Sequence, residues 1–165
     1  MSNTTSKEHQ VEIHDLQLRW IHPKDLAEVL PIERQSFRDP WTEADFVNTL
    51  HDLNAVGLVA CRAGQIVGYM VYRHSGNATV LENLAVRGDD RRRRVGTSLI
   101  DAIKLTAALK RMLRGKRWRI ELFVGENNTA GQLFFKAMGF KAREVWPNYW
   151  PDCEQDAYRM EYRQQ

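Results

Sequence analysis

The stretch of the chain with the clearest chemical character is a run of arginines that leads to a glycine, Arg91 to Arg94 followed by Val95 and Gly96. A β-rich run, Ala78 to Val86, precedes it and an amphipathic pattern begins at Val95, so we expect a strand, a polar turn and a helix. Free backbone N–H groups and the dipole at such a helix start attract anions. Gly96 lacks a Cβ and allows a ligand to approach closely. The predicted chemistry is binding of a pyrophosphate.

Positive charge continues well beyond this loop. Half of the 24 lysines and arginines lie between Arg87 and Arg119, one fifth of the 165 residues, with only three acids among them. Such a block attracts a polyanion, which could be a nucleic acid, a membrane surface or a phosphorylated cofactor. The loop lacks the glycine patterns that hold dinucleotides or triphosphates, and no aromatic residues alternate with its arginines for base stacking. Charge alone leaves a cofactor site, a solvated basic turn and a nucleic-acid patch open.

Composition and length are those of an ordinary globular domain. With 165 residues, 43% hydrophobic and 27% charged, the chain is long enough for one core and too short for two. We expect a flexible tail over residues 1–10 and a single domain over residues 11–165. The absence of a signal-peptide core and of an apolar run of about eighteen residues predicts a cytoplasmic protein without a membrane partner.

Side chains suited to metal or disulfide chemistry are sparse. Cys61 and Cys153 are too few for a disulfide framework, and we expect two reduced thiols. The five histidines are scattered without metal-ligand spacing. The sequence therefore predicts no metal cofactor.

Hydrophobic periodicity predicts strands and helices in alternating groups. Thr42 is placed to cap a helix with Asp45, and Trp41 and Phe46 are spaced to form a hydrophobic staple. Pro31 should bend or break the first helix. The predicted strands cover residues 16–21, 55–62, 66–73, 78–86, 119–124, 140–145 and 156–162, and the predicted helices cover 23–37, 43–53, 95–113 and 129–138.

Two long stretches resemble one known family. The sequence LENLAVRGDDRRRRVGTSL, Leu81 to Leu99, is similar to the central motif of the GNAT superfamily of N-acetyltransferases, and LFVGENNTAGQLFFKAMGF, Leu122 to Phe140, is similar to its second motif. Phe37 to Phe46 and Asn148 to Met160 resemble the RimI-like group, the ribosomal-protein-alanine N-acetyltransferases. The resemblance implies a mixed α/β fold, with helices on both faces of a largely antiparallel sheet that splays where the acetyl group lies. It also implies acetyl-CoA as co-substrate.

Carried over residue by residue, the resemblance implies a binding site for coenzyme A. The backbone of Leu84, Ala85 and Val86 would bind the pantetheine arm, Asn128 would contact the same arm, and Phe135 would lie near the sulfur. The pyrophosphate would be held by the loop and the first helical turn, namely Arg91, Arg92, Arg93, Arg94, Val95, Gly96 and Thr97.

This sequence departs from the family pattern at three positions. Arg94 replaces the first glycine of the loop, where a positive φ would cost a side chain about 1 kcal/mol. Phe135 replaces the tyrosine that commonly protonates the departing thiolate, and Phe123 replaces the glutamate that RimI-like enzymes use as a base. A thiol with a pKa of about 8.5 is a good leaving group, so we expect a slower reaction rather than none.

Three ionisable side chains are the candidates for catalysis. Glu82 and Glu121 each lie two residues before a position that the family uses, Leu84 and Phe123, and should share its strand face. Glu82 is the first candidate for general base, and the alternative for both is an ion-paired strand carboxylate. Tyr149 would orient the acceptor or share in proton transfer.

The resemblance favours the N-terminal α-amine of a protein, such as a ribosomal protein, as acceptor. Trp41, Tyr149 and Trp150 are the candidate acceptor-binding residues, although Trp41 also suits the helix staple. Acetylation of a small amine such as an aminoglycoside or polyamine is one alternative. A catalytically silent module that binds CoA or RNA is another, and no sequence-specific nucleic acid partner is expected.

Overall fold

The computed structural model describes residues 16–115, 117–150 and 154–163 and contains one seven-stranded sheet. The predicted tail over residues 1–10 and Cys153 lie outside the described residues. Four α-helices accompany the sheet within the described part of the chain. The strands are β1 Leu16–Trp20, β2 Ala55–Arg62, β3 Gln65–Ser75, β4 Ala78–Val86, β5 Arg119–Gly125, β6 Lys141–Trp150 and β7 Gln155–Arg163, and the helices are α1 Leu26–Ser36, α2 Glu43–Leu50, α3 Val95–Arg114 and α4 Thr129–Ala137.

The strands run in the order β1-β2-β3-β4-β5-β7-β6. Neighbouring strands are antiparallel at every pair except β4 and β5, which are parallel. The parallel pair follows from the long crossover through α3, because a parallel neighbour requires a connection that returns the chain to the same end of the sheet. The predicted mixed α/β fold with a largely antiparallel sheet is confirmed.

Two apolar layers lie on opposite faces of the sheet. The larger layer packs α3 and α4 against the sheet, with Leu99, Ile103, Ile120 and Phe140 fully buried. The second layer packs α1 and α2 against β2, β3 and β4 only. On this second side, none of the helices formed by the described residues packs over β5, β7 and β6.

Local signals in the sequence predicted several boundaries correctly. Thr42 and Asp45 form the reciprocal capping box of α2, and the rings of Trp41 and Phe46 meet edge to face with centroids 5.2 Å apart. The hairpin at Ala63 and Gly64 joins β2 to β3, and both residues have positive φ. These features depend on neighbours in sequence, so the sequence alone specifies them.

Several element ends differ from the prediction by one to three residues, and two elements that contain a proline differ from it more clearly. α1 continues through Pro31, because Leu26, Val29 and Ile32 remain buried on one face and tertiary packing outweighs the missing N–H. β6 extends to Trp150 rather than ending at Val145, although Pro147 lies within it. β6 is an edge strand with a register irregularity after Trp146, which is where a proline is tolerated in a sheet.

Gly68 determines how closely α3 approaches the sheet. A Cβ at Gly68 would lie 2.9 Å from Val95 Cγ1 and 3.0 Å from the backbone oxygen of Ala85. We expect Gly68→Ala to lower the free energy of unfolding by about 1–3 kcal/mol through overpacking. Urea denaturation measures the change, and Gly88→Ala, with nothing within 4 Å of its added Cβ, should have almost no effect. Equal losses in the two variants would contradict the close approach.

Candidate functional site

The β4 and β5 strands separate in the middle of the sheet. They pair from Ala78 with Arg119 to Leu81 with Leu122, and no pairing follows beyond that point. The facing backbone edges of the last five residues of β4 and the last three of β5 are therefore free of strand partners. Because unpaired backbone groups need hydrogen-bond partners, this opening is suited to an extended ligand with amide groups.

A β-bulge marks the start of the opening. Val71 pairs with Asn83 and Tyr72 pairs with Leu81, which leaves Glu82 as the extra residue of β4. As a result Leu84 packs against the α3 layer, whereas Glu82 pairs with Arg73 at the opposite face, beside the end of α2. The expectation that Glu82 shares a strand face with Leu84 is therefore wrong, because the bulge breaks the period of two.

The loop before α3 is held by Asp90, which is 3% exposed. Its carboxylate accepts hydrogen bonds from Arg62 Nη1 at 3.0 Å and from Arg87 Nε at 2.7 Å. Arg62 also donates to the backbone oxygen of Arg93 at 3.2 Å, and Arg91 Nε donates to the oxygen of Val86. From the sequence, Asp90 is only one of three acids in a basic block. Its role as an anchor could not be predicted, because its partner Arg62 lies 28 residues away in the chain.

Two of the four arginines in this loop have left-handed backbones. Arg92 has φ 62° and Arg94 has φ 64°, so the position where the family has a glycine does require positive φ. Arg94 precedes α3 and provides no side-chain cap, which leaves the N–H groups of the first turn available to a ligand. With all four arginine side chains exposed around these N–H groups, the residues present fit a pyrophosphate.

The structure gives two predicted cofactor residues an additional role. A Cβ at Gly96 would lie 3.1 Å from Phe134 Cζ, so the glycine also allows α3 and α4 to pack closely. Asn128 caps α4 by accepting a hydrogen bond from the N–H of Gly131 at 2.9 Å. Gly96 thus allows α4 to lie beside the start of α3, and Asn128 stabilises the first turn of α4.

Phe135 lies in a row of aromatic rings beneath α4. Its centroid is 5.2 Å from that of Phe134 and 5.7 Å from that of Phe140. The ring provides apolar contact and has no proton to donate. Any proton that leaves with the sulfur must therefore come from elsewhere.

Glu82 belongs to a chain of charges at the edge of the opening. Arg73 and Glu82 form an ion pair in which Arg73 Nε lies 2.9 Å from Glu82 Oε1. The Nε atom makes no hydrogen bond, whereas Arg73 Nη2 donates one to Glu82 Oε2 at 3.3 Å. Arg73 also donates to Asp52 at 2.9 Å. Burial, together with the nearby charge of Glu82, raises the pKa of Tyr149. The phenol therefore stays protonated at neutral pH and can donate a hydrogen bond. Glu82 itself is an ion-paired strand carboxylate, which is the alternative role that the sequence left open for it.

An aromatic wall, formed by Phe123, Trp146, Tyr149 and Trp150, covers the end of β5 and β6. Tyr149 stacks on Phe123 with centroids 4.6 Å apart and planes 11° apart. Trp146 and Trp150 meet Tyr149 edge to face at 6.0 and 4.7 Å. The structure thus brings Phe123, Tyr149 and Trp150 together as one surface, whereas Trp41 packs separately on Phe46 as the staple.

Glu121 lies on the same face as Phe123 and is bound to arginines. Arg119 and Arg159 both pair with it, and Arg159 also pairs with Glu144 at 2.9 Å. Glu121, Arg119 and Arg159 line an open groove of about 370 Å³, together with Phe123 and Trp146 of the aromatic wall. Two guanidinium groups thus pair with the Glu121 carboxylate, whereas Glu82 is paired with one.

The described residues contain neither a membrane-spanning helix nor a metal-ligating cluster. No helix in the described part of the chain is long and apolar enough to span a membrane. Residues 16–115, 117–150 and 154–163 contain no cluster of three or more metal-ligating side chains.

Comparison with known proteins identifies the family. Residues 54–142, more than half of the chain, match the sequence profile of the Acetyltransferase (GNAT) domain. The chain belongs to the GNAT acetyltransferase family. As a GNAT protein it is an acyl-CoA-dependent N-acetyltransferase that uses acetyl-CoA, and the opening between β4 and β5 with its arginine loop fits that co-substrate.

Relatives from three organisms cover most of this GNAT chain. A Bacillus subtilis protein with the proposed activity of a ribosomal protein bS18-alanine N-acetyltransferase is 26% identical over 83% of the chain and 88% of its own length. An N-alpha-acetyltransferase of Sulfurisphaera tokodaii is 28% identical, with 82% and 86% covered. The crystal structure of Ard1 from Thermoplasma volcanium superposes with a TM-score of 0.80 at 25% identity, covering 91% of this chain and 98% of that one.

Arg94 offers a direct test of the loop geometry. Because an L-residue at φ 64° is strained, Arg94→Gly should raise the free energy of unfolding by up to about 1 kcal/mol over Arg94→Ala, which removes the same charge and keeps a Cβ. Chemical denaturation measures stability, and titration calorimetry with acetyl-CoA measures the charge effect common to both variants.

Arg93→Gly is the matched control, since Arg93 is not among the positive-φ residues. It should lower stability by about 0.5–1 kcal/mol through added chain entropy. If Arg94→Gly lost as much stability as Arg93→Gly, the backbone at Arg94 would not be strained.

Proposed function

We propose that this enzyme acetylates the N-terminal α-amine of a protein, with a ribosomal protein as one candidate acceptor. The observation that carries the proposal is the aromatic wall at the mouth of the β4–β5 opening, which contains Phe123 and Tyr149. Burial, with the nearby charge of Glu82, raises the pKa of Tyr149. Flat rings suit a peptide backbone, and the phenol of Tyr149 is a donor for its carbonyl. Relatives named for N-terminal acetylation support this choice.

In this proposal acetyl-CoA binds along β4 and over the start of α3. Backbone groups of Leu84, Ala85 and Val86 bind the pantetheine arm, Asn128 lies on its other side, and Phe135 lies beside the sulfur. The pyrophosphate is held by cationic side chains and N–H groups, those of Arg91, Arg92, Arg93, Arg94, Val95, Gly96 and Thr97. The thioester carbon then faces the Glu82 side of the opening.

The proposed reaction is direct attack of the neutral amine on the thioester carbonyl carbon. A new C–N bond forms, the electron pair of the carbonyl moves to oxygen, and a backbone N–H near Val86 stabilises that oxyanion. The C–S bond then breaks as the carbonyl re-forms, and CoA leaves as a thiolate. With Phe135 in place of an acid, water supplies the proton to a thiol whose pKa is about 8.5.

The amine also needs to lose a proton, for which Glu82 is the proposed acceptor, directly or through water. An α-amine has a pKa of about 7.7–8.0, so part of it is already neutral at cellular pH. A lysine side chain near 10.4 would depend more strongly on a base. With Glu82 as its single proposed base, this chain therefore suits an α-amine better than a lysine side chain as acceptor.

Charges in the groove argue against a polycationic acceptor. Each carboxylate there is paired with arginine: Glu121 with Arg159, and Glu161 with Arg119, Arg143, Arg159 and Arg163 within 4 Å. An aminoglycoside or polyamine requires carboxylates that remain free to bind ammonium groups. Among the described residues, every carboxylate of the groove is paired with an arginine, so the α-amine of a peptide is the favoured acceptor.

A panel of acceptors tests the proposal. Peptides that begin with alanine, serine or methionine should release CoA from acetyl-CoA, measured with a thiol reagent, and mass spectrometry should place the acetyl group on the first residue. The same peptides with a blocked N-terminus and an internal lysine are the control. Faster turnover of spermidine or an aminoglycoside than of every free peptide would overturn the proposal, as would silence across the peptides.

Glu82 is tested by its amide variant. Glu82→Gln should lower kcat by about 10²-fold with an α-amine peptide at pH 7, because the amide cannot accept the proton. The loss should shrink at pH 9, where the amine is already neutral. Arg73→Met is the matched control, because it breaks the same ion pair and retains the carboxylate. If Arg73→Met reproduces the loss, or if Glu82→Gln has no effect, Glu82 is not the base.

A further inference from the structure

Glu33 is a buried carboxylate that the proposed chemistry does not use. It lies on α1, is 1% exposed and is surrounded by the apolar layer between α1, α2 and the sheet. Among the described residues, no lysine, arginine or histidine lies within 4 Å of it. Burying a carboxylate without a cationic partner costs free energy, so the hydrogen-bond donors around Glu33 must offset that cost.

Three donors from three separate parts of the chain converge on this carboxylate. The N–H of Trp41 donates to Oε1 at 2.7 Å, Asn83 Nδ2 lies 3.2 Å from both oxygens, and the hydroxyl of Tyr69 donates to Oε2. Tyr69 also contacts Asn83 Oδ1 at 3.2 Å. Burial raises the pKa of Glu33, while the Trp41 N–H and the Asn83 amide oppose that rise by stabilising the charged form.

Two of the three partners lie where the chain changes direction. Trp41 lies in the connection between α1 and α2, the 37–42 segment, which begins at Phe37 and ends at Thr42, the N-cap of α2. Asn83 follows the bulge at Glu82, where β4 leaves β5. Glu33 is thus the link that fixes the 37–42 segment relative to the strand beside the proposed base.

We propose that Glu33 is a positioning residue for the acceptor, because it ties the 37–42 segment to Asn83 and so fixes the strand residue that directly follows Glu82, the proposed base for the acceptor amine. The inference rests on the proposed function for the location of the acceptor. It follows that loss of Glu33 should weaken the use of the acceptor without altering acetyl-CoA binding, because the arginine loop has its own anchor in Asp90.

The test compares Glu33→Gln, which removes the charge and keeps one acceptor oxygen, with Glu33→Met, which removes every acceptor at similar volume. Hydrogen exchange should show the Trp41 amide exchanging at least about 10-fold faster in Glu33→Met. The KM of the best acceptor from the peptide panel should rise about 10-fold in both variants, while the Kd of acetyl-CoA stays within about 2-fold.

Glu28→Gln is the matched control. Glu28 is also a carboxylate on α1 that accepts a backbone hydrogen bond, from Ile66 N–H at 3.1 Å, but it has no bond to the 37–42 segment. It should leave both the exchange rate of Trp41 and the acceptor KM unchanged.

Two results would overturn the inference, and a third would separate it from a failure of the proposed acceptor. An unchanged acceptor KM in Glu33→Gln, with lower stability, would make Glu33 a purely structural residue. A Trp41 amide that exchanges at the native rate in Glu33→Met would show that Glu33 does not anchor the segment, and if that variant fails to fold, the KM of Glu33→Gln decides. If the native enzyme acetylates no peptide but the exchange result holds, the proposed acceptor fails while the anchor stands.

Discussion

The separation of β4 from β5 is the constraint on which the rest of this site depends. A sheet that ends its pairing in its own centre exposes backbone donors and acceptors that need partners. Pairing stops after Leu81 and Leu122, at the point where the bulge at Glu82 shifts the register of β4. Because β3 stays paired with β4 and β7 with β5 on either side of the gap, and the α3 layer packs against one face, the gap is a fixed feature of the fold and is the proposed site of the co-substrate.

The anion loop depends on a buried carboxylate for its shape. Asp90 is tied to Arg62 on β2 and to Arg87 at the end of β4, so the loop is fixed to the sheet on two sides. That rigidity maintains the left-handed backbones of Arg92 and Arg94, which isolated peptides would avoid. Where a typical family member has glycine, this chain combines a strained backbone with an additional guanidinium. The gain is electrostatic, since a cation near a pyrophosphate strengthens its binding.

The acceptor side is built from rings and neutralised charges. In the proposed site Phe123 and Phe135 cannot transfer a proton, and Glu82 and Tyr149 are the ionisable side chains assigned a role there. Arginines pair with the groove carboxylates, so the open face of β5, β7 and β6 holds little free charge of either sign. Such a surface favours contacts with backbone and apolar groups over strong attraction of a charged ligand.

The sequence by itself determined the features that depend on residues close together in the chain. Hydrophobic periodicity located all seven strands, the capping box of Thr42 and Asp45 was correct, and the motifs around Arg91 to Gly96 indicated the family and its co-substrate. Tertiary structure alone decided which distant groups meet: Glu33 with Asn83 across 50 residues, and Arg62 with Asp90 across 28. It also decided that the bulge moves Glu82 to the face opposite Leu84 and that Pro147 fits an edge strand. The physical reason is that periodicity reports which side of an element is apolar, whereas polar partners and strand register depend on the folded arrangement of the whole sheet.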